Sequence, residues 1–158
     1  MILGTKARYA VMAMVELAGH DAEKPVRLEK LAEAQEITVP YLEQLFSKLR
    51  RSGLVKSVRG PGGGYALAQA AGDIRISDIV EAVDESLKMT RCDGHKEFGC
   101  MATKARCLTH DLWDGLGARI YDYLHSVTLA DVRNKRPAAS SQRSEVFFPD
   151  RRPPTAVN

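Results

Sequence analysis

The sequence predicts a mostly α-helical protein of the winged helix-turn-helix class, with one long helix after the winged part. Three observations lead to this fold class. Three helical stretches with apolar faces fill the first third of the 158-residue chain. Two short β-type runs then flank the stretch RGPGGG at 59–64. A further helical stretch with a narrow apolar stripe begins near residue 109.

The first two helices are predicted from apolar spacing and from residues that favour helix ends. We expect Thr5 to cap a first helix that runs from about Lys6 to Gly19. The stretch PVRL then reads as a short extended piece, and LEKLAEAQ at 28–35 predicts a second, short helix. These two helices would support the third, which carries the functional surface in this plan.

The third helix has signals at both ends. Thr38 can cap it, and Pro40 falls in its first turn, where a missing N–H does little harm. The helix is expected to run to about Ser52, where Gly53 suits the stop. In the winged plan, this is the helix that reads DNA.

The glycine-rich stretch has two interpretations, a phosphate-binding loop or the tip of a wing. A phosphate-binding loop needs a following helix and a Lys-Ser/Thr pair, whereas here a Tyr-led strand follows and the pair is missing. A hairpin tip made of Gly60, Gly62 and Gly63 can press against a sugar-phosphate backbone, while Arg59 enters a narrow minor groove. The residues therefore favour a wing that contacts DNA.

Positive charge is concentrated around the third helix and the wing, although the formal net charge is only +3. The first 65 residues hold ten Lys or Arg against seven Asp or Glu. The interval 44–59 has no acidic residue and carries Lys48, Arg50, Arg51, Lys56 and Arg59. A solvated helix face is one explanation of such a stripe. Beside a winged domain, a polyanion such as double-stranded DNA is the better one.

The second half predicts two more helices and a short last one. Ser77 is expected to cap the helix DIVEAVDESL, and Thr128 to cap LADVRN. Between them, THDLWDGLGARIYDYLHSV at 109–127 predicts a long helix with an apolar seam. The seam consists of Leu112, Leu116, Ile120, Leu124 and Val127. It packs either on its own domain or, as the two-fold symmetry of operators favours, on its copy in a homodimer.

Three cysteines and a histidine form the candidate ligand set. Cys92, Cys100, Cys107 and His110 have the spacing C-x7-C-x6-C-x2-H, without the close cysteine pair that opens most structural zinc sites. Iron–sulfur clusters accept longer, irregular loops. An iron–sulfur cluster, zinc and unligated redox-sensitive thiols all stay open on spacing alone, and His95 is a rival fourth ligand.

The remaining composition limits the possible functions. A Ser/His/Asp set, paired carboxylates and nucleotide motifs are missing from the sequence, so we do not expect an enzyme. No apolar run is long enough to span a membrane, and the start lacks the order of a signal peptide, which predicts a cytoplasmic protein. From residue 135 onward, Pro, Ser and Arg dominate, and this predicts a disordered basic tail.

Four stretches together carry a family resemblance: KARYAVMAMVELA, YLEQLFSKLRRSGLVKSVRGPGGGY, AVDES…TRC and CLTH…LW. Over about residues 1–134 the chain resembles the iron–sulfur cluster regulators of the broad Rrf family of winged-helix repressors. The resemblance implies a homodimer with a 2Fe–2S cluster held by Cys92, Cys100, Cys107 and His110. It implies that the cluster-bound form represses cluster-assembly genes, and that cluster-assembly proteins supply the cluster.

The resemblance also assigns DNA contacts. Tyr41, Glu43 and Gln44 would lie on the reading helix and Arg59 on the wing, while Thr5, Lys6 and Arg8 would face phosphates. Glu43 would accept a hydrogen bond from a cytosine amine, or it would pair with Lys48 as an ordinary surface residue. Two features depart from the family's pattern. Pro40 replaces a small polar residue, and the intervals between the cysteines are longer than the common spacing.

The chain thus divides into four predicted parts. These are a winged helix-turn-helix DNA-binding domain at 1–86, a cysteine-rich cluster-binding loop at 87–110, a dimerisation helix with a short terminal helix at 108–134, and a disordered basic tail at 135–158. The predicted function is a transcriptional regulator that senses a 2Fe–2S cluster. The alternative is a winged-helix repressor that responds to oxidants or nitric oxide through thiols or zinc, without a cluster.

Overall fold

The structure, a computed structural model, describes residues 4–22, 24–83 and 105–135. Eight elements follow one another in these ranges: α1 (Thr5–Gly19), α2 (Leu28–Gln35), α3 (Val39–Arg51), β1 (Val55–Val58), β2 (Gly64–Leu67), α4 (Ile76–Ala82), α5 (His110–Ser126) and α6 (Leu129–Arg133). Strands β1 and β2 pair antiparallel, with Val55 opposite Leu67 and Val58 opposite Gly64. The winged helix-turn-helix prediction is confirmed. Within the described ranges, no helix combines the length and the apolar character needed to span a bilayer.

The core lies between α1, α3, α4 and the hairpin. Helix α3 buries Leu42, Leu45, Phe46 and Leu49 along one face, and the Phe46 ring meets the edge of Tyr65 on β2 at a centroid distance of 5.0 Å. Val26, in the predicted extended stretch, exchanges two backbone hydrogen bonds of 2.8 Å with Tyr65. The hairpin is therefore held to both the reading helix and the segment before α2.

The helix starts differ from the predictions at two of four positions. Helix α1 begins at Thr5 itself, with Gly4 in the cap position, and helix α4 begins at Ile76, so the caps predicted at Thr5 and Ser77 are wrong. Thr38 occupies the cap position of α3, although its side chain makes no capping hydrogen bond. Thr128 is confirmed as a cap, because its hydroxyl oxygen accepts from the Asp131 backbone N–H at 3.1 Å.

The apolar seam of α5 is divided between two environments. At the end of the seam, Val127 is buried and Leu124 packs against the core of the winged domain. At its start, Leu112 is 64% exposed, and Leu116 and Ile120 are half-buried. The end of the seam therefore packs within the protomer, as the alternative interpretation held, whereas its start lies open.

Candidate DNA-reading surface and cysteine site

Helix α3 presents polar side chains on the face opposite its buried residues. Glu43 and Gln44 are exposed near its start, and Pro40 is exposed in the first turn. Tyr41 is half-buried, with its ring edge-on to Tyr9 of α1 at 6.0 Å. The starts of α1 and α3 therefore lie side by side, which brings the two candidate contact regions together.

Glu43 faces a groove between the reading helix and the wing. The groove has a volume of about 490 Å³ and is also lined by Arg27, Glu29, Gly60, Gly63 and Tyr65. No hydrogen bond or ion pair joins the Glu43 side chain to another residue of the described ranges. The pairing of Glu43 with Lys48 is therefore not observed, and the Glu43 carboxylate stays open to an outside donor.

The tip of the wing is a tight turn at Gly60, Pro61, Gly62 and Gly63. The Gly63 N–H donates to the Gly60 carbonyl at 2.8 Å, and Gly62 has φ of +77°. Proline second and a positive-φ glycine third are the features of a type II turn. A Cβ at Gly63 would collide with the Val58 carbonyl oxygen. The glycines are thus required by the backbone itself, and the tip stays free of side chains.

Exposed cations surround this tip and the starts of the two helices. Arg59 and Lys56 project from the wing, and Lys6 and Arg8 from the first turns of α1, where Thr5 is also exposed. Arg50, also exposed, donates from Nη1 to the Ser57 hydroxyl of β1 at 3.3 Å, and this links the end of α3 to the wing. The start of α3 thus lies beside the start of α1 through Tyr41 and Tyr9, and Glu43 of α3 lines one groove with the tip of the wing.

Two of the four candidate cluster ligands lie in the described ranges, at the start of α5. The Cys107 carbonyl accepts from the His110 backbone N–H at 3.0 Å, and the Cys107 thiol lies 3.6 Å from the Thr109 hydroxyl. Cys107 is a free thiol and half-buried, while His110 is only 9% exposed. The spacing C-x2-H thus brings a thiol and an imidazole to the same turn.

The other candidate ligands, Cys92 and Cys100, and the rival His95 lie outside the described residues. Among the residues that are described, no group of three or more His, Cys, Asp or Glu side chains is arranged to hold a metal. The segment 135–158, predicted to be a disordered tail, is described only at Lys135.

A polar junction between α4 and the end of α5 was missed from the sequence. Ser77 is fully buried, and its hydroxyl lies 3.2 Å from His125 Nδ1. Asp78, three residues after the cap position of α4, accepts from the Arg75 N–H at 3.1 Å. An acidic residue three positions after the cap is one half of a capping box, but arginine is not a usual cap residue, so the sequence contains no clear signal for a cap at Arg75.

These features agree with a comparison against known families. The model of the Rrf2 family, described as iron-dependent transcriptional regulators, matches residues 3–135. The chain belongs to the Rrf2 family. Its relatives include the HTH-type transcriptional regulator IscR of Pectobacterium carotovorum, 50% identical over 86% of this chain and 81% of that protein. The IscR of Xenorhabdus nematophila is 46% identical over 100% of this chain and 97% of its own. The family resemblance found in the sequence is confirmed.

Solved structures of family members have the same fold. The IscR of T. potens matches with a TM-score of 0.69 and 38% identity, covering 90% of this chain and 93% of that one. CymR, the global cysteine regulator of B. subtilis, matches with a TM-score of 0.70 and 30% identity, covering 85% and 98%. The winged fold is therefore shared with regulators whose names refer to different signals.

Proposed function

We propose that this protein binds double-stranded promoter DNA as a homodimer, senses iron–sulfur cluster status through a 2Fe–2S cluster, and represses cluster-assembly genes when the cluster is bound. One observation carries the proposal. In a chain about 50% identical to IscR regulators, a thiol and a nearly buried imidazole lie in one turn at the start of α5. Thiolate and imidazole are the donor types found on iron in 2Fe–2S centres.

The donor set fits a cluster. Cys107 and His110 would be two of its ligands, and Cys92 and Cys100, which precede α5 in the chain, would supply the remaining thiolates. A bound 2Fe–2S cluster supplies a centre that is sensitive to oxidants and to the supply of iron. Cluster-assembly proteins would deliver the cluster to this protein. The protein's own part is to hold Cys107 and His110 at the start of a helix whose end reaches the winged domain.

The DNA-binding part of the proposal rests on exposure and charge. Glu43 and Gln44 are exposed on α3, and Arg59, Gly60 and Gly62 are exposed on the wing. A winged domain with this arrangement places its third helix in a major groove, and Arg59 beside the adjacent backbone or minor groove. Two such domains, joined through the open start of α5, would match a two-fold operator.

A thiol-based regulator is the second candidate, and one observation favours it. A solved relative, the CymR of Staphylococcus aureus in its oxidized form, is 29% identical and shares the fold with a TM-score of 0.66. Cys107 is a free, half-buried thiol in this chain. On this hypothesis, oxidation of the cysteines, or zinc bound by them, would control DNA binding without any cluster.

An absorption spectrum of the protein purified without oxygen, with iron, sulfide and zinc assayed on the same sample, separates the two candidates. We expect visible bands and roughly equal iron and sulfide, as in 2Fe–2S proteins. A colourless protein with stoichiometric zinc, or one that stays colourless after reconstitution with iron and sulfide, would overturn the cluster proposal.

Histidine variants then identify the fourth ligand. We expect His110→Ala to lose or shift the visible bands, because His110 lies in the same turn as Cys107, with a backbone hydrogen bond between the two residues. His20→Ala is the matched control, since His20 lies at the end of α1, 3.4 Å from the Glu16 carboxylate. Loss of the bands in His95→Ala, with His110→Ala unchanged, would assign the ligand to His95 instead.

A further inference from the structure

The end of α5 is fastened to the winged domain by backbone hydrogen bonds. Ile76 N–H donates to the Val127 carbonyl at 3.0 Å, and Leu129 N–H donates to the Ile74 carbonyl at 2.9 Å. Arg75 and Thr128 form the antiparallel bridge between these two bonds. We call the segments 74–78 and 125–130 the α5 anchor. Because its backbone groups pair directly with each other, the α5 anchor fixes one end of the long helix.

Side chains extend the anchor through one polar chain. Ser77 Oγ lies 3.2 Å from His125 Nδ1 and 3.4 Å from Asp78 Oδ1, and Asp78 accepts from Arg75 through its other oxygen. A serine hydroxyl has a single hydrogen. Both Ser77 bonds form together only if His125 Nδ1–H donates to Ser77, which in turn donates to Asp78. The chain therefore has a defined direction, from α5 into the first turn of α4.

The two ends of α5 have different surroundings. Cys107 and His110 lie at its start, and His125 lies in its last turn, roughly 22 Å away at 1.5 Å per residue. The Tyr121 ring stacks on His125 at 5.6 Å with an interplanar angle of 12°, so the imidazole is oriented from its own helix as well. A change in tilt at the start of a rigid helix must be taken up at its fastened end.

Helix α4 connects this end to the reading helix. It packs against α5 on one side and against α3 and α1 on the other. Its buried face includes Ile79 and Val80, both 0% exposed. Close-packed contacts of this kind transmit small displacements. The route from the cysteine site to α3 thus runs through α5, the Ser77–His125 bond and α4.

We propose that Ser77 and His125 are positioning residues, which set the tilt of α5 against α4 and carry the state of the cysteine site to the reading helix. The inference rests on the proposed function for its biological meaning. Neither residue belongs to the DNA-reading surface or to the candidate ligand set. Their role is to couple those two sites.

The decisive experiment measures DNA affinity by fluorescence anisotropy at fixed salt, with a labelled duplex from the promoter upstream of the protein's own gene. The cluster-loaded and metal-free forms of the full chain are compared for Ser77→Ala, His125→Leu and His125→Asn. We expect the metal-free affinity to stay within twofold of the wild type. The ratio of the DNA affinity of the cluster-loaded form to that of the metal-free form should fall about 2- to 10-fold in Ser77→Ala and His125→Leu, as expected for one lost hydrogen bond.

His125→Asn should retain most of that ratio, because an amide N–H can replace the imidazole donor. Ser126→Ala is the matched control, since the Ser126 hydroxyl donates only within α5, to the Tyr123 carbonyl at 2.7 Å. A purely structural role would lower the unfolding stability of Ser77→Ala and leave the ratio between the two forms unchanged. That result would overturn the inference.

A second measurement does not depend on the cluster. In the metal-free protein, we expect His110→Ala to shift the backbone amide resonances of α4 and α3, and Ser77→Ala to suppress that response. If the protein takes up no cluster, the proposed function fails, and this measurement alone decides the inference. An identical response to His110→Ala with and without the Ser77 hydroxyl would reject it.

Discussion

The reading helix α3 and the long helix α5 differ in how far their apolar side chains are buried. Helix α3 buries every large apolar side chain of its inner face, with Leu49 and Phe46 both 0% exposed. Helix α5 leaves Leu112 64% exposed and Trp113 42% exposed, and its only buried residue is His110. Helix α3 thus buries its apolar face within a single chain, whereas α5 leaves large apolar side chains exposed.

This difference separates a helix that is packed within the protomer from one whose start is exposed, where the proposed homodimer would form. Large apolar side chains on one face are uncommon on a free surface and mark interaction sites. Because Leu112 and Trp113 lie at the opposite end of α5 from the α5 anchor, a second copy can cover them without disturbing the anchor. The comparison between α3 and α5 can be tested at four levels, taken here from the largest expected effect to the smallest.

Two leucines give the largest contrast. Leu49→Ala on α3 should lower the free energy of unfolding by about 2–5 kcal/mol, because it opens a cavity in the core. Leu112→Ala on α5 should change the unfolding free energy of the protomer by about 0.5 kcal/mol or less. Urea unfolding followed by circular dichroism, extrapolated to low protein concentration, measures both. Equal losses would show that α5 is as much a part of the protomer core as α3.

A charge on the open face should act on assembly and leave the fold intact. Leu112→Asp is expected to convert a dimer into a folded protomer of 17.4 kDa, because a buried, unpaired carboxylate is strongly unfavourable at an interface. Sedimentation velocity measures the mass. Val58→Asp is the control, since Val58 is an exposed apolar residue on the wing. If the wild-type protein sediments with the mass of one protomer, 17.4 kDa, then α5 does not form a dimer interface.

Substitution of two exposed arginines, one on the wing and one on α5, compares the contributions of the two regions to DNA affinity. Arg59→Ala on the wing should weaken binding by about 1–3 kcal/mol if its side chain enters a groove. Arg119→Ala on α5 should have a much smaller effect, because α5 lies outside the reading surface. Anisotropy titrations at one salt concentration measure both. Unchanged affinity in Arg59→Ala would remove this residue from the set of DNA contacts.

Gly115 provides the smallest and most local test. A Cβ at this position meets no atom within 4 Å in the protomer. Gly115→Ala should therefore stabilise the protomer by about 0.5–1 kcal/mol through lower chain entropy when it is made in the Leu112→Asp background. In the wild-type background, Gly115→Ala should stabilise the protein by a smaller amount if a partner helix approaches closely at this position. Equal gains in the two backgrounds would exclude a close approach at Gly115.

The sequence predicted those elements whose signals are local. Helix α2 has the bounds read from LEKLAEAQ, and the wing follows from β-type runs around a glycine-rich turn. The bridge between Val26 and Tyr65 agrees with the extended stretch predicted there. In each case the backbone conformation follows from residues within the element, so little tertiary information was needed.

Two of the differences from the predictions involve partners that are distant in the sequence. Ser77 has the composition of a cap, but the chain enters α4 earlier because Ile76 N–H bonds to Val127 and Arg75 N–H bonds to Asp78. The seam of α5 looks uniform in sequence, yet its end packs on the protomer and its start does not. The Ile76–Val127 bond and the packing of Leu124 both join segments that are far apart in the sequence, and no local pattern encodes them, whereas the Arg75–Asp78 bond is local.

The α5 anchor also bears on the unusual spacing of the cysteines. Helices α4 and α5 are in contact, so the chain from 83 to 109 closes a loop between two elements that the anchor already holds together. The entropic cost of closing such a loop rises only with the logarithm of its length, by about 0.6 kcal/mol for each doubling. A few additional residues between the cysteines therefore cost a small fraction of that amount. On this ground, the longer intervals between the candidate ligands leave the stability of the junction between α4 and α5 almost unchanged.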